Sequence, residues 1–181
     1  MNNTRLVKIG KYLSRHLRHA PERIGLQLEP GGWVEVSDLL AACERHQFAI
    51  HRWELEEVVT KNDKQRFAFD ETGTRIRANQ GHSVEIDLQL EPATPPNLLY
   101  HGTGAGAGAA IAREGLIKMS RHHVHLSADP ETARTVGMRH GKPVVFAIAA
   151  ATMSQDGHIF FCSDNGVWLV DHVPPEYLKP M

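Results

Sequence analysis

Glu91-Pro92-Ala93-Thr94-Pro95-Pro96 is the stretch that decides how this chain is organised. Proline lacks a backbone donor and fixes φ, so three prolines in so short a run predict an extended, fairly stiff segment. No helix or central strand accommodates it. The residues on its two sides differ in pattern. We read two domains, 1–91 and 97–181, and 181 residues suffice for each to bury a core of its own.

Working back from the prolines, Arg66-Phe67-Ala68-Phe69 and Thr74-Arg75-Ile76-Arg77-Ala78 alternate as two strands around Glu71-Thr72-Gly73. Before them, Ile50, Trp53, Leu55, Val58 and Val59 predict a helix. Another is predicted from a Ser37 cap through Leu39, Leu40 and Cys43. Trp33 to Val36, after the turn Pro30-Gly31-Gly32, reads as a short strand. At the start, Leu6, Ile9, Leu13 and Leu17 recur at spacings of three and four and form one helical face, with Pro21 closing the segment. Arg15 falls opposite that stripe and His16 on its flank, which predicts that both point outward. Three helices followed by a hairpin is the layout of a winged helix. That fold commonly binds nucleic acid, although fold alone does not establish function.

Working forward, Leu98 to His101, Val124 to Ser127, Val144 to Ile148 and Val167 to Val170 read as strands. Ala109 to Glu114 and Pro130 to Arg139 read as helices, and Gly102 to Gly108 as a Gly/Ala-rich loop. The predicted class is α+β.

Net charge is −1, but its distribution is uneven. Arg5, Lys8, Lys11, Arg15, Arg18 and Arg23 fall within one short stretch opposed only by Glu22, while acid gathers at Glu54, Glu56, Glu57 and from Glu85 to Glu91. A local basic face governs phosphate binding more than the sum does. Cys43 and Cys162 form no CxxC and read as buried free thiols of a reduced, cytoplasmic protein. No apolar run has the length of a membrane span, and Met1 to Lys11 lacks the apolar core of a signal peptide.

Two stretches carry chemistry. His101-Gly102-Thr103-Gly104-Ala105-Gly106-Ala107-Gly108 follows a strand and precedes a helix, where glycines would let backbone amides approach a ligand. It is not a Rossmann fingerprint, and a surface turn explains it as well as a nucleotide site does. Arg121-His122-His123-Val124-His125-Leu126-Ser127 puts His123 and His125 on one strand face. Zinc is conceivable there, but no HxxxH, HExxH or cysteine pair accompanies it, so no metal is expected.

Seven stretches, in order along the chain, resemble the RNA 2′-phosphotransferase family of KptA type: Lys11 to His19, Gly32-Trp33-Val34, Asn62 to Phe67, Ile76 to Ser83, Leu99 to Thr103, Arg121 to Ser127, and Asn165 to Leu169. The resemblance implies an N-terminal winged-helix lobe that binds RNA and a C-terminal ADP-ribosyltransferase-like lobe that binds NAD, with the active site between them. It implies catalytic residues Arg15, His16, Arg66 and Arg121. It places NAD-site motifs on His101, Gly102, Thr103, His125 and Ser127. The acidic residue of many ADP-ribosyltransferases would be replaced by the apolar Val167. The implied reaction consumes NAD, needs no metal, and moves an internal RNA 2′-phosphate to ADP-ribose through an ADP-ribosylated RNA. A monomer is expected. Three other readings remain at this level: an ADP-ribosyltransferase that stops after the first step, a non-catalytic RNA-binding protein, and a zinc hydrolase. Outside the resemblance, an arginine such as Arg15 or Arg66 is ordinarily a solvated surface charge. Trp33 and Trp168 read as core, and Asn79 to Ser83 as a turn.

Overall fold

The apolar face of the first segment forms as its spacing requires. In the computed structural model, which describes residues 1–61 and 65–181, helix α1 runs Asn3–Arg18, and Asn2 caps it by accepting the Arg5 N–H at 2.8 Å. Ile9, Leu13 and Leu17 are fully buried. The family stretch Asn62-Asp63-Lys64 lies outside the described residues.

The chain divides into two compact units, Met1–Gln89 and Leu90–Met181. Both are mixed structures of helices and small antiparallel sheets. In the first unit, α1 is followed by strand β1 (Trp33–Glu35), helices α2 (Val36–Arg45) and α3 (Arg52–Lys61), and strands β2 (Phe67–Phe69) and β3 (Arg75–Ala78). The sheet order is β1-β3-β2, with Val34 opposite Ile76 and Phe69 opposite Ile76 on the other side. Side chains alternate, so Val34, Ile76 and Phe67 enter the core with Leu39, Leu55 and Val58. The β2–β3 turn is fastened by Asp70, whose carboxylate accepts the Arg75 N–H at 3.0 Å, and by Gly73 at φ +71.

Local expectations fail here where tertiary packing overrides them. Ser37 is not the cap of α2: the helix starts at Val36, and Glu35 occupies the cap position without a side-chain bond. Trp53 is 54% exposed, because the apolar side chains that α3 buries are Leu55 and Val58. Arg66 and Thr74 fall just outside their strands. Trp33 is only half-buried, and its outer face carries the guanidiniums of Arg77 and Arg75 at 4.5 and 5.4 Å.

The second unit contains β4 (Leu99–Gly104), α4 (Ala105–Glu114), β5 (Leu116–Ile117), β6 (Val124–Leu126), α5 (Pro130–Gly137), β7 (Pro143–Ile148), α6 (Ala150–Gln155), β8 (Phe160–Cys162), β9 (Trp168–Val170), β10 (His172–Val173) and β11 (Leu178–Pro180). Two three-stranded sheets, β11-β7-β4 and β6-β9-β8, meet through one bridge, Tyr100 with Ser127, whose N–H and C=O groups bond reciprocally at 2.9 and 2.8 Å. The proline stretch is attached to the second unit. Pro92 bridges Phe161, and the Ala93 N–H donates to the Phe160 carbonyl, so it extends the β8 edge. The Gly/Ala run is not a loop either: its first residues end β4 and the rest open α4. Cys43 is buried, but Cys162 is only half-buried. Among the described residues no helix is long and apolar enough to cross a membrane.

Candidate functional site

Arg15 and His16 occupy the last turn of α1. Arg15 is exposed, as its position opposite the apolar stripe requires. His16 is not presented outward: it is 6% exposed. It stands three residues beyond Leu13, so it rides the border of the stripe and is drawn into the core edge. Its ring packs on Tyr12 at 4.2 Å, and Tyr12 in turn stacks on Phe48 at 4.0 Å.

The His16 Nδ1 lies 2.9 Å from the carbonyl oxygen of Tyr12. A carbonyl only accepts, so Nδ1 carries the hydrogen and, in the neutral ring, Nε2 is the basic nitrogen. Burial lowers the pKa of His16. The Tyr12 bond works against that shift, and the nearby charges of Arg15, His46 and Arg23 work with it.

Arg66 is half-buried immediately before β2. Asn79 holds the backbone there by two bonds: its N–H donates to the Arg66 carbonyl at 2.9 Å, and its Nδ2 to the Gln65 carbonyl at 2.7 Å. Gln65 has φ +41, in the left-handed region that side chains rarely adopt. The backbone that delivers Arg66 is thus strained and strapped in place. Four residues on, the N–H groups of Ser83 and Val84 donate to the Arg18 carbonyl at 2.9 and 3.3 Å, and Ser83 Oγ lies 2.8 Å from His19 Nδ1. The stretch 79–83, composed like a simple turn, therefore ties the end of α1 to the segment that carries Arg66. No period in the sequence marks that role; its signal is the density of polar groups.

In the second unit a cavity of about 580 Å³ opens beside α4, β5 and the turn that leads into β6. Ala107, Ala110, Ile111, Leu116 and Ile117 make its apolar part. His101, Lys118, Arg121, His123, His125 and His140 make its basic part. Of the residues expected at a nucleotide, His101 and His125 line this cavity, beside the expected catalytic Arg121; Gly102, Thr103 and Ser127 do not. Lys118, His140 and the apolar wall went unrecognised in the sequence, because distant segments assemble them.

His101 Nδ1 stands 3.1 Å from the His125 carbonyl oxygen, so it too carries its hydrogen on Nδ1. Burial lowers its pKa, the bond to the carbonyl opposes this, and the charges of Arg121 and His140 add to the lowering. Arg121 Nη1 lies 3.0 Å from His125 Nδ1. A guanidinium only donates, so this Nδ1 is an acceptor and the His125 proton belongs on Nε2.

Gly102 has a different duty from the one its motif suggests. A Cβ there would overlap the Ala133 carbonyl, so the residue lets β4 lie directly against α5. Gly106 alone in that run faces open space. Val167 lies in the β8–β9 turn, where its carbonyl accepts from Ser163 N–H and Oγ, each at 3.0 Å. Among the described residues, no group of three or more His, Cys, Asp and Glu side chains is arranged to hold a metal ion.

Comparison with known proteins gives these side chains a context. Residues 4–172 match the model of a family described as RNA 2′-phosphotransferase, Tpt1 / KptA family. A probable RNA 2′-phosphotransferase of Trichormus variabilis is 67% identical over 181 residues, covering all of both chains. One from Nostoc punctiforme is 66% identical over 99% of each chain. One from Streptomyces coelicolor is 58% identical over 99% of this chain and 97% of its own. With so much of its length matched by the family and by whole relatives, this chain belongs to the Tpt1 / KptA family of RNA 2′-phosphotransferases.

Proposed function

We propose that this protein removes an internal 2′-phosphate from RNA by transferring it to ADP-ribose, consuming NAD. The first unit serves as a winged-helix lobe that binds RNA, and the second as an ADP-ribosyltransferase-like lobe that binds NAD. The observation that carries the proposal is the basic, partly apolar cavity of the second unit, with His101, His125 and Arg121 on its wall. Its volume is in the range of small-molecule sites, which typically span about 300–1,000 Å³. Its mixed lining suits a ligand with both flat apolar and anionic parts.

In the first step an oxygen of the RNA 2′-phosphate attacks the anomeric carbon of the nicotinamide riboside, and nicotinamide leaves. A phosphate dianion needs no base to become a nucleophile; it needs aim. Arg15 and Arg66 supply it, because a guanidinium binds phosphate oxygens in pairs and keeps its charge. The setting of Arg15 calls for a cationic side chain. The end of α1 is its negative pole, the opposite of the helix N-terminus that usually receives phosphate. Side-chain cations must therefore do the binding.

In the second step the neighbouring ribose hydroxyl attacks phosphorus. The RNA 2′-oxygen leaves and takes a proton, giving 2′-OH RNA and ADP-ribose 1″,2″-cyclic phosphate. His16 moves the proton, and once Nε2 has taken it the ring donates to a phosphate oxygen. Its Nε2 is the basic nitrogen, and a lowered pKa keeps it neutral near pH 7. Arg121 stabilises the charge that builds on phosphorus. Positioned cations suffice for this charge, and the proposed reaction takes no metal. We further propose that the protein acts as a monomer in the cytoplasm, without a membrane.

The test is a short RNA with an internal 2′-phosphate, incubated with and without NAD. NAD-dependent phosphate loss with cyclic phosphate formed in equal amount is expected. Phosphate loss without NAD, or a lasting ADP-ribose adduct as final product, would overturn the proposal.

A further inference from the structure

We propose that His125 is a positioning residue that aims Arg121, and that it does so only as the neutral tautomer protonated on Nε2. The catalytic consequence rests on the function proposed above; the hydrogen bond itself does not.

Arg121 is exposed at the end of a turn, where a long side chain has many rotamers. Its Nη1 donates to His125 Nδ1 at 3.0 Å. Among the described residues no carboxylate pairs with it. That choice of partner has a physical meaning. An aspartate or glutamate at position 125 would also hold the guanidinium, but it would cancel much of the charge a phosphoryl transition state needs. A neutral imidazole nitrogen fixes the direction of the guanidinium and leaves its charge intact.

Position 125 is used twice. Its side chain orients Arg121, and its carbonyl accepts from His101 Nδ1 at 3.1 Å. The backbone here is set by β6 pairing with β9, His125 opposite Leu169, so both bonds start from a fixed strand. Protonating Nδ1 of His125 would set a second donor against Arg121 and release it. The other titratable and charged groups around the same cavity are His101, Glu114, Lys118, His123 and His140. All but Glu114 are basic side chains.

Kinetic and NMR measurements test this. In rapid-quench assays, His125→Ala should slow the second step about 10- to 100-fold, the effect of losing one bond to a charged group, so ADP-ribosylated RNA accumulates. His125→Asn, which returns a neutral acceptor, should recover most of the loss. His125→Asp returns an acceptor with charge and should not. A residue needed only for packing would not separate Asn from Asp. A rise in the KM for NAD with an unchanged second step would assign His125 to nucleotide contact and overturn the inference, leaving the proposed reaction standing. Independently of any RNA chemistry, ¹⁵N NMR of the imidazoles should show His125 protonated on Nε2. In Arg121→Ala the preference for that tautomer should weaken, because the donor that Nδ1 accepts from is gone. An Nδ1-protonated ring in the unaltered protein would overturn the inference even if the reaction is as proposed. Absence of any NAD-dependent product, with the NMR result as expected, would sink the proposed reaction and leave the Arg121–His125 contact in place.

Discussion

His16 and His101 solve one problem in two ways. Each is tucked into its unit, each donates from Nδ1 to a main-chain carbonyl, and burial lowers the pKa of each. Each is thereby held as a neutral ring with its basic nitrogen on Nε2. The difference lies in the partner. His16 uses Tyr12, one turn earlier on the same helix, so helical geometry alone brings the two together. His101 uses His125, 24 residues away on another strand, and the pair exists only because Tyr100 bridges Ser127 and joins the two sheets. A local device survives whatever happens to its surroundings; a tertiary one depends on the strands that meet there.

The sharpest way to break this comparison is to remove the charges proposed to act beside His16. Arg15→Ala and Arg66→Ala should each reduce phosphate transfer about 10²–10³-fold, the usual cost of a lost transition-state donor. Arg15 is exposed, so its variant should melt like the parent in a thermal scan. A Tm drop that accounts for the lost activity would remove Arg15 from the chemistry.

Next comes a split between the two histidines. His16→Ala should lower kcat about 10²-fold through the lost proton transfer. His101→Ala should act mainly on the KM for NAD. Steady-state kinetics in both substrates decide it, and indistinguishable profiles would mean that the rings do not have separate roles.

The dependence of the second unit on its strand packing is tested by Gly102→Ala. The added carbon overlaps the Ala133 carbonyl, so β4 and α5 must separate. A loss of about 1–3 kcal/mol, the range for overpacking, is expected from denaturant unfolding. His101 should then titrate closer to its ordinary value, while His16 stays where it was.

A comparable loss belongs to the first unit. Glu54 is 5% exposed and accepts from Arg5 Nε at 2.9 Å, Arg5 Nη2 at 3.0 Å and the His51 N–H at 3.0 Å. The Arg5 bonds, aided by the His51 N–H, hold its carboxyl at about 2, against an ordinary 4.5. Its contribution to stability is therefore fully present above pH 4.5 and is lost as pH falls through about 2. Arg5→Leu should cost about 1.5–3 kcal/mol at pH 7 in urea unfolding, and the difference from the parent should shrink in acid. A constant difference down to pH 2 would show that packing, not charge, is what Arg5 supplies.

The smallest effect is a titration. His16 should lose its proton below its ordinary 6.5 in NMR of the protein alone. Because the unfolded chain then holds the proton more tightly, this residue lowers stability as pH falls below 6.5. A midpoint above that value would mean the ring is not desolvated, and the likeness to His101 would end there.

The sequence by itself determined the elements whose cause is local. The spacing of Leu6, Ile9, Leu13 and Leu17 dictates α1 and its buried face, the β2–β3 turn follows from Asp70 and Gly73, and the ordered motifs indicate the family. Only the tertiary structure decided what depends on segments far apart in the chain. It drew His16 inward when it fixed where the core ends, and gave Asn79 the task of holding Arg66. It spent Gly102 on helix packing rather than on a ligand, and brought Arg121 to the ring of His125 and His101 to its carbonyl. The physical reason is range: periodicity and turn chemistry act over one or two turns of chain, whereas a hydrogen bond across a sheet is settled by which strands become neighbours.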